Sequence, residues 1–371
     1  MPSEYAKSGV DYTQMEPFKM AMIEAGKKTL HFPEKRGVFI NADVTHAHGA
    51  VFEYRGMSPH IWCKTQEDLG NKNWIAEWMY QNNPEKTYYE SIAIDTALMT
   101  VNDVIAQGAM PVVFTDQIEA SSSAWYADEK RAQDLANGFL KICEEVGMAM
   151  PAGESASVKY LVNPTPPVKQ IATLSGCTTG IIAPKENLIT GTKLAAGDRI
   201  IAVASSGVHA NGISLVINKA IELRDQFLTK LPNGNTLGEE ALIPTKSYVA
   251  LVEALLQHPT EIHAFLPGTG DGVGKIAFDK RDFTYRINNW LGVPPLMEYF
   301  HQKIGVPLED CLKTFNWGAG YYIFAPESSV EKIITAGRNA GYELAEVGII
   351  EEGKRQVIFE PGNITLSPPG E

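Results

Sequence analysis

An α+β fold of two mixed domains is what this 371-residue sequence predicts, on three observations. Short β-like runs and amphipathic helical stripes occur in both halves of the chain. Their order is not a regular strand-helix-strand alternation, which favours layered α+β packing over a doubly wound sheet. A polar seam near 184–197, carrying Pro184, Asn187, Gly191 and Gly197, separates the halves. The hydrophobic fraction of 44% and charged fraction of 20% give enough apolar surface for full cores and exclude a largely disordered chain.

Taken in order, residues 1–36 read as a polar N-terminal lead-in. A first domain over 37–184 opens with β-like runs at Gly37–Asn41, Val51–Tyr54 and Ile61–Lys64. Ile94, Leu98, Val101 and Ile105 step by 4, 3 and 4, one stripe of a helix that Gly108 ends. Pro111–Asp116 reads as a buried strand, and Leu135, Phe139, Ile142 and Val146 as the inner face of a long helix stopped at Gly147. Strand-like runs follow at Ile171–Cys177 and Thr179–Ile182. The second domain, 185–361, has strand-like Arg199–Ala204 and helical patterns at Ile213–Arg224, Glu239–Leu256 and Pro295–Ile304. It closes with strand Gly320–Phe324, helix Val330–Ala340 and strands Val347–Ile350 and Gln356–Phe359. The proline- and glycine-rich tail, 362–371, reads as flexible.

With 32 Lys+Arg against 44 Asp+Glu, the net charge is 32 − 44 = −12, which argues against general nucleic-acid binding. A small phosphorylated ligand remains open, held by amide nests, a few lysines or metal ions. No apolar run reaches the ~18 residues of a membrane helix, and Met1-Pro2-Ser3-Glu4 lacks a signal-peptide pattern. A cytoplasmic, soluble protein is the expectation. Cys63, Cys143, Cys177 and Cys311 are far apart and read as reduced structural thiols.

Asp95 and Asn102 are two helical turns apart on one face, and Asp103 lies ~80° round from Asp95. The axial rise of ~10–12 Å is too long for Asp95 and Asp103 to grip one ion, but suits acids spaced along a polyphosphate with Mg²⁺ between them. A plain solvated helix face is the alternative. Asp116, ending its strand, supplies a third acid where ligands bind in open sheets. Gly153-Glu154 follows the apolar Met148–Met150 run, and Glu67–Lys72 forms an acidic, glycine-containing loop whose lysine can meet a phosphate; either can also be an ordinary turn. Ser205–Ser214 runs from strand to helix through small polar residues, the layout of an anion site or of a plain connector. His209 can donate there to a phosphate or merely cap a turn. Gly268–Lys275 fails the phosphate-loop pattern, since Ile276 stands where Ser/Thr belongs, and reads as a flexible loop lining a ligand or as a plain loop. His46-x-His48 lacks further metal ligands nearby.

Together these segments resemble the phosphoribosylformylglycinamidine cyclo-ligase (AIR synthetase) family. The resemblance runs through Tyr5–Asp11, Ile94-Asp95, Val101-Asn102-Asp103, Gln107-Gly108-Ala109-x-Pro111 with Asp116, and Gly153-Glu154-Ser155-Ala156. It continues through Ser205–Val216, Pro244-Thr245 and Thr314-Phe315-Asn316-x-Gly318-x-Gly320. Three loops depart from it: Glu67–Lys72 loses a glycine and a threonine, Ala152 replaces a glycine, and Phe265–Gly270 lacks a histidine. The resemblance implies two mixed α/β domains of the AIR-synthetase type, the first sheet completing a barrel-like interface across a homodimer. It implies ATP and Mg²⁺, with Lys72, Asp95, Asn102 and Asp116 binding ATP and Glu67, Asp95, Asp103 and Glu154 holding metal. It further implies Ser206, Gly207, His209 and Asn211 on the substrate, with Asp103 and His209 catalytic. The implied reaction closes formylglycinamidine ribonucleotide to aminoimidazole ribonucleotide with release of ADP and phosphate. The altered loops leave two rivals, an ATP-using relative with another phosphorylated or amide substrate, and a non-catalytic ligand-binding relative.

Overall fold

The computed structural model describes residues 10–41, 50–257 and 262–370. The chain divides into two compact units, one built from residues up to Val104 with Met110–Pro184, the other from Ile105–Ala109 with Lys185 onward.

The first unit begins with helix α1 (Tyr12–Thr29), where sequence reading placed only a polar lead-in. Asp11 caps its start by accepting from Thr13 N–H at 3.0 Å, and Lys27 and Lys28 sit in the last turn where the helix dipole favours cations. Met15, Phe18, Met22 and Ala25 form its buried stripe. The polar residues between them on the outer face account for the misreading.

Short strands β1 (Val38–Ile40) and β2 (Phe52–Tyr54) pair antiparallel. Then come β3 (Ile61–Asp68), helices α2 (Lys72–Asn82) and α3 (Tyr89–Val104), and strand β4 (Met110–Ala120). Helices α4 (Ser123–Tyr126) and α5 (Glu129–Val146) and strands β5 (Ala149–Ser157) and β6 (Ala172–Ile182) complete the unit. The sheet order is β3-β6-β4-β5, with β4 and β5 parallel and the other pairs antiparallel. Helices α3 and α5 cover one face; α5 is capped by Asp128 and stopped by Gly147 in the left-handed region at φ 73°.

Two corrections bear on the site. Glu67 and Asp68 belong to strand β3 rather than to a loop, and β4 runs four residues past Asp116 instead of ending there. Likewise Ile171–Cys177 and Thr179–Ile182 are one strand, because Thr178 is fully buried and bonded to Thr100 through their hydroxyls at 2.6 Å.

The second unit holds β7 (Arg199–Ala204), α6 (Ile213–Ala220), α7 (Leu237–Ala241), α8 (Val249–Leu255), β8 (Ala264–Pro267) and β9 (Phe283–Ile287). It continues with α9 (Pro295–Tyr299), α10 (Leu308–Thr314), β10 (Ala319–Ala325), α11 (Val330–Asn339), β11 (Leu344–Glu352), β12 (Gln356–Phe359) and β13 (Ile364–Leu366). Its seven-stranded sheet has the order β13-β12-β9-β11-β7-β10-β8. The 239–256 pattern is two helices, since 242–248 breaks it. The tail expected to be flexible instead pairs Ile364–Leu366 antiparallel with β12, burying Leu366.

Candidate functional site

In the first unit one row crosses all four strands. Glu67 pairs with Gly176, Gly176 with Asp116, and Asp116 with Gly153, so all four project to the helix-covered face. The two glycines make room. A Cβ at Gly153 would strike the Asp116 carboxylate, and one at Gly176 the Phe114 ring.

Asp116 is 6% exposed; burial pushes its carboxyl up to about 7, partly opposed by a backbone hydrogen bond, with the Glu154 charge adding to the rise. It lines a cavity of about 290 Å³ between α1 and β5. Met22, Ile23, Leu30 and Met150 give that cavity an apolar wall, while Lys19, Lys27 and Glu154 bring charge. Lys19, Lys27 and the α1 wall are not among the expected site residues; the Asp11 cap and the Met15–Phe18–Met22 spacing are the signals in the sequence that point to this helix.

Several expected ligands lie elsewhere. Lys72 Nζ is 2.7 Å from Asp95 Oδ2, and neither side chain reaches solvent. Burial lowers the Lys72 pKa and Asp95 opposes that fall. The pair fastens α2 to α3, so neither residue is presented to a phosphate or ion in this conformation. Asn102 is buried as well, at 5% exposure.

Asp103 lies at the other end of α3, beside Cys63, whose thiol is pushed up by burial and by the Asp103 charge. Cys63 and Glu67 are four residues apart on one strand, or ~13 Å at ~3.3 Å per residue. Glu67, Asp95, Asp103 and Glu154 therefore do not converge as a metal nest. Among the described residues no three His, Cys, Asp or Glu side chains are placed to hold an ion. Glu154 is exposed and accepts from Ser155 N–H at 2.9 Å. His46 and His48 lie outside the described residues.

In the second unit the 205–212 loop leaves β7 and enters α6. Ser205 N–H donates to Gly318 O at 2.8 Å, and Ser206 Oγ to Pro244 O at 2.6 Å. Asn316 is the fastener: its Nδ2 donates to Gly207 O, and its Oδ1 accepts from Gly318 N–H, both at 2.9 Å. Ser205 Oγ donates to Asn316 Oδ1 at 3.2 Å. His209 is 3% exposed at φ 54°, a strained backbone for a non-glycine residue. Its Nε2 faces Ser206 N–H at 3.4 Å. A Cβ at Gly320 would overlap both Tyr248 Oη and His209 Cε1, so only glycine permits this packing. Ser206 and His209 thus build the loop rather than project from it. Asn211 alone of the expected substrate contacts keeps a buried Nδ2 without a partner among the described residues.

The first mixed unit thus has a carboxylate-floored cavity and the second an anchored polar loop. Residues 79–182 match the family described as "AIR synthase related protein, N-terminal domain", and 195–360 match the C-terminal domain of the same family. The chain belongs to the AIR synthase-related family. Among relatives, the phosphoribosylformylglycinamidine cyclo-ligase of Pyrococcus furiosus is 30% identical over 94% of this chain and 95% of that one. The cyclo-ligase of Lactobacillus acidophilus is 29% identical over 96% of this chain and 100% of the relative. The fold is shared with thiamine-monophosphate kinase of Stenotrophomonas maltophilia, at TM-score 0.63 and 17% identity over 93% of this chain and 97% of that one. It is also shared with the hydrogenase maturation protein HypE of E. coli, at TM-score 0.61 and 15% identity over 97% and 99% of the two chains.

Proposed function

We propose that this chain is an ATP-dependent cyclo-ligase that closes formylglycinamidine ribonucleotide to aminoimidazole ribonucleotide, releasing ADP and phosphate. The reaction must convert a formamide oxygen, a poor leaving group, into a good one. Transfer of the γ-phosphoryl group to that oxygen does so, the amidine nitrogen then attacks the same carbon, and the C–O bond breaks as phosphate departs. Holding both groups in one site supplies proximity, and cations beside the phosphates neutralise the transferring group.

The observation that carries this reading is the α1–β5 cavity, with buried Asp116 beside Gly153, Glu154 at the rim and Lys19 and Lys27 opposite. The apolar wall suits a base, and the lysines suit phosphate oxygens. Mg²⁺ also fits: the charge of Glu154 raises the pKa of Asp116, a repulsion that a divalent ion relieves. Such an ion needs only one or two carboxylates when phosphate oxygens and waters complete its shell. Asp116 and Glu154 would hold it; Asp103, which the family resemblance makes catalytic, lies beside Cys63 at the other edge of the sheet. When bound, it supplies charge neutralisation on the nucleotide.

The sheet face opposite the helices is open along β3, where Trp62, Lys64, Gln66 and Asp68 are exposed in alternation. A second copy pairing on that face gives the homodimer, and a biosynthetic role of this kind places the enzyme in the cytoplasm. The test is a coupled assay on purified protein with Mg²⁺–ATP and formylglycinamidine ribonucleotide. Stoichiometric ADP and aminoimidazole ribonucleotide are expected, and ADP release without ring closure would overturn the assignment.

A further inference from the structure

Helix α4 is a single turn, Ser123–Tyr126, yet it touches both walls of the α1–β5 cavity. Toward α1, Ser123 Oγ accepts from Asp11 N–H at 2.8 Å. Phe18 of α1 packs edge-on against Tyr126, ring centroids 4.9 Å apart, and against Trp125 at 5.9 Å. Toward the sheet, Tyr126 Oη donates to Ile118 O on β4 at 2.8 Å and to Ala156 O on β5 at 2.7 Å, so one phenolic proton is shared between two strands. Those carbonyls lie two residues beyond Asp116 on β4 and two beyond Glu154 on β5.

The tie falls where the sheet is weakest. Among the described residues β5 pairs with β4 alone, and it does so in parallel, a pairing slightly less stable per residue than the antiparallel kind. Its register with β4 also shifts between Val113 and Thr115, just before Asp116. The turn that carries the tie is firmly held. Trp125 and Tyr126 are fully buried. Trp125 Nε1 donates to Glu77 Oε1, and Arg131 Nη1 donates to Trp125 O, both at 2.7 Å. Burial raises the Tyr126 phenol pKa; backbone hydrogen bonds oppose the rise, while the charges of Glu154 and Asp116 add to it. The hydroxyl therefore stands within electrostatic reach of both acids and stays protonated, a donor, at neutral pH.

We propose that Tyr126 is a positioning residue for nucleotide binding: by tying β4 to β5 it sets the spacing of Asp116 and Glu154, and through Phe18 it holds the α1 wall that carries Lys19 and Lys27. This rests on the cyclo-ligase reading, which puts Mg²⁺–ATP in that cavity. The residue acts through the two acids and the wall, not by contact with the nucleotide.

Tyr126→Phe deletes the tie and keeps the ring against Phe18. Tyr89→Phe is the matched control, since it deletes a buried hydroxyl of the same unit that is donated to Glu77 Oε1, at 2.6 Å, instead of to a strand. Hydrogen exchange on the full-length protein without ligand should show the β5 amides exchanging faster in Tyr126→Phe than in wild type or Tyr89→Phe. Calorimetry should show Mg²⁺–ATP binding weakened roughly fivefold in Tyr126→Phe, the worth of one net hydrogen bond, and unchanged in Tyr89→Phe. In the coupled assay the loss should fall on KM for ATP and spare KM for the ribonucleotide, whereas a merely structural role would lower only the fraction of active enzyme. Unchanged β5 exchange or unchanged ATP affinity in Tyr126→Phe, an equal loss of affinity in Tyr89→Phe, or wild type that fails to bind Mg²⁺–ATP would overturn the role. Failure of the cyclo-ligase reading appears separately, as the expected changes in exchange and ATP affinity in a protein whose wild type makes no aminoimidazole ribonucleotide.

Discussion

The α2–α3 region of the first unit and the 205–212 loop of the second handle polarity in opposite ways. The first buries whole charges and neutralises them in pairs. Lys72 meets Asp95 at 2.7 Å, and Glu77 meets Arg131 at 3.0 Å while also accepting from Tyr89 Oη and Trp125 Nε1. The second builds its loop from neutral groups, with Asn316 tying Gly207 to Gly318 and no charge in the fastening. A charged residue in a familiar motif is therefore weak grounds for calling it a ligand contact in the first unit. In the second unit an uncharged amide fastens the loop.

That contrast can be broken most directly at Lys72. If the pair is architectural, Lys72→Met leaves Asp95 buried without its cation, and urea denaturation should show a loss of about 3–5 kcal/mol. The double variant Lys72→Met with Asp95→Leu should recover most of it. A stable Lys72→Met protein that has lost only ATP affinity would return both residues to the phosphate site.

Asp116 sharpens the comparison through pH. Its folded pKa of about 7 lies above the ordinary carboxyl value, so the folded state holds the proton more tightly than the unfolded chain. The stability gained from that proton is complete below ~pH 4 and lost as pH rises through ~7. Asp116→Asn should therefore gain on wild type between pH 5 and 8, by up to ~4 kcal/mol. Thermal melts across that range check it, and a constant difference would sink the buried-acid picture.

For Asp103, at the far end of α3, Asp103→Asn should lower turnover 100-fold or more, about 3 kcal/mol of barrier, with the melting temperature unchanged. Near-normal rates would remove it from the mechanism. The smallest effect is expected at the neutral fastener, where Asn316→Ala should cost about 1–3 kcal/mol of stability. It should also raise KM for the ribonucleotide more than KM for ATP.

Much of the fold was legible because local signals agreed with the final packing. Arg199–Ala204 and Gln356–Phe359 are strands over the expected residues, and Gly147 ends its helix as its position suggested. What escaped depended on partners distant in sequence. The polar outer face of α1 hid the apolar stripe that α5 and β5 cover, and Ile364–Leu366 becomes a strand only because β12 offers it an edge. The site was legible as motifs but not as roles. Spacing placed Asp95 and Asp103 correctly on one helix. Only tertiary packing reveals that Asp95 is spent on Lys72, or that Asn316 fastens a loop more than a hundred residues earlier in the chain.

Helix α1 closes the free edge of the first sheet: Thr29 Oγ1 accepts from Met150 N–H at 2.7 Å across 121 positions of sequence. On the ribosome this helix must then wait, its greasy stripe uncovered, until the strand it guards has been made, 121 positions later. The wait lasts roughly ten seconds at ordinary elongation rates. Helix α1 is thus a stretch of its unit that relies on being shielded during synthesis.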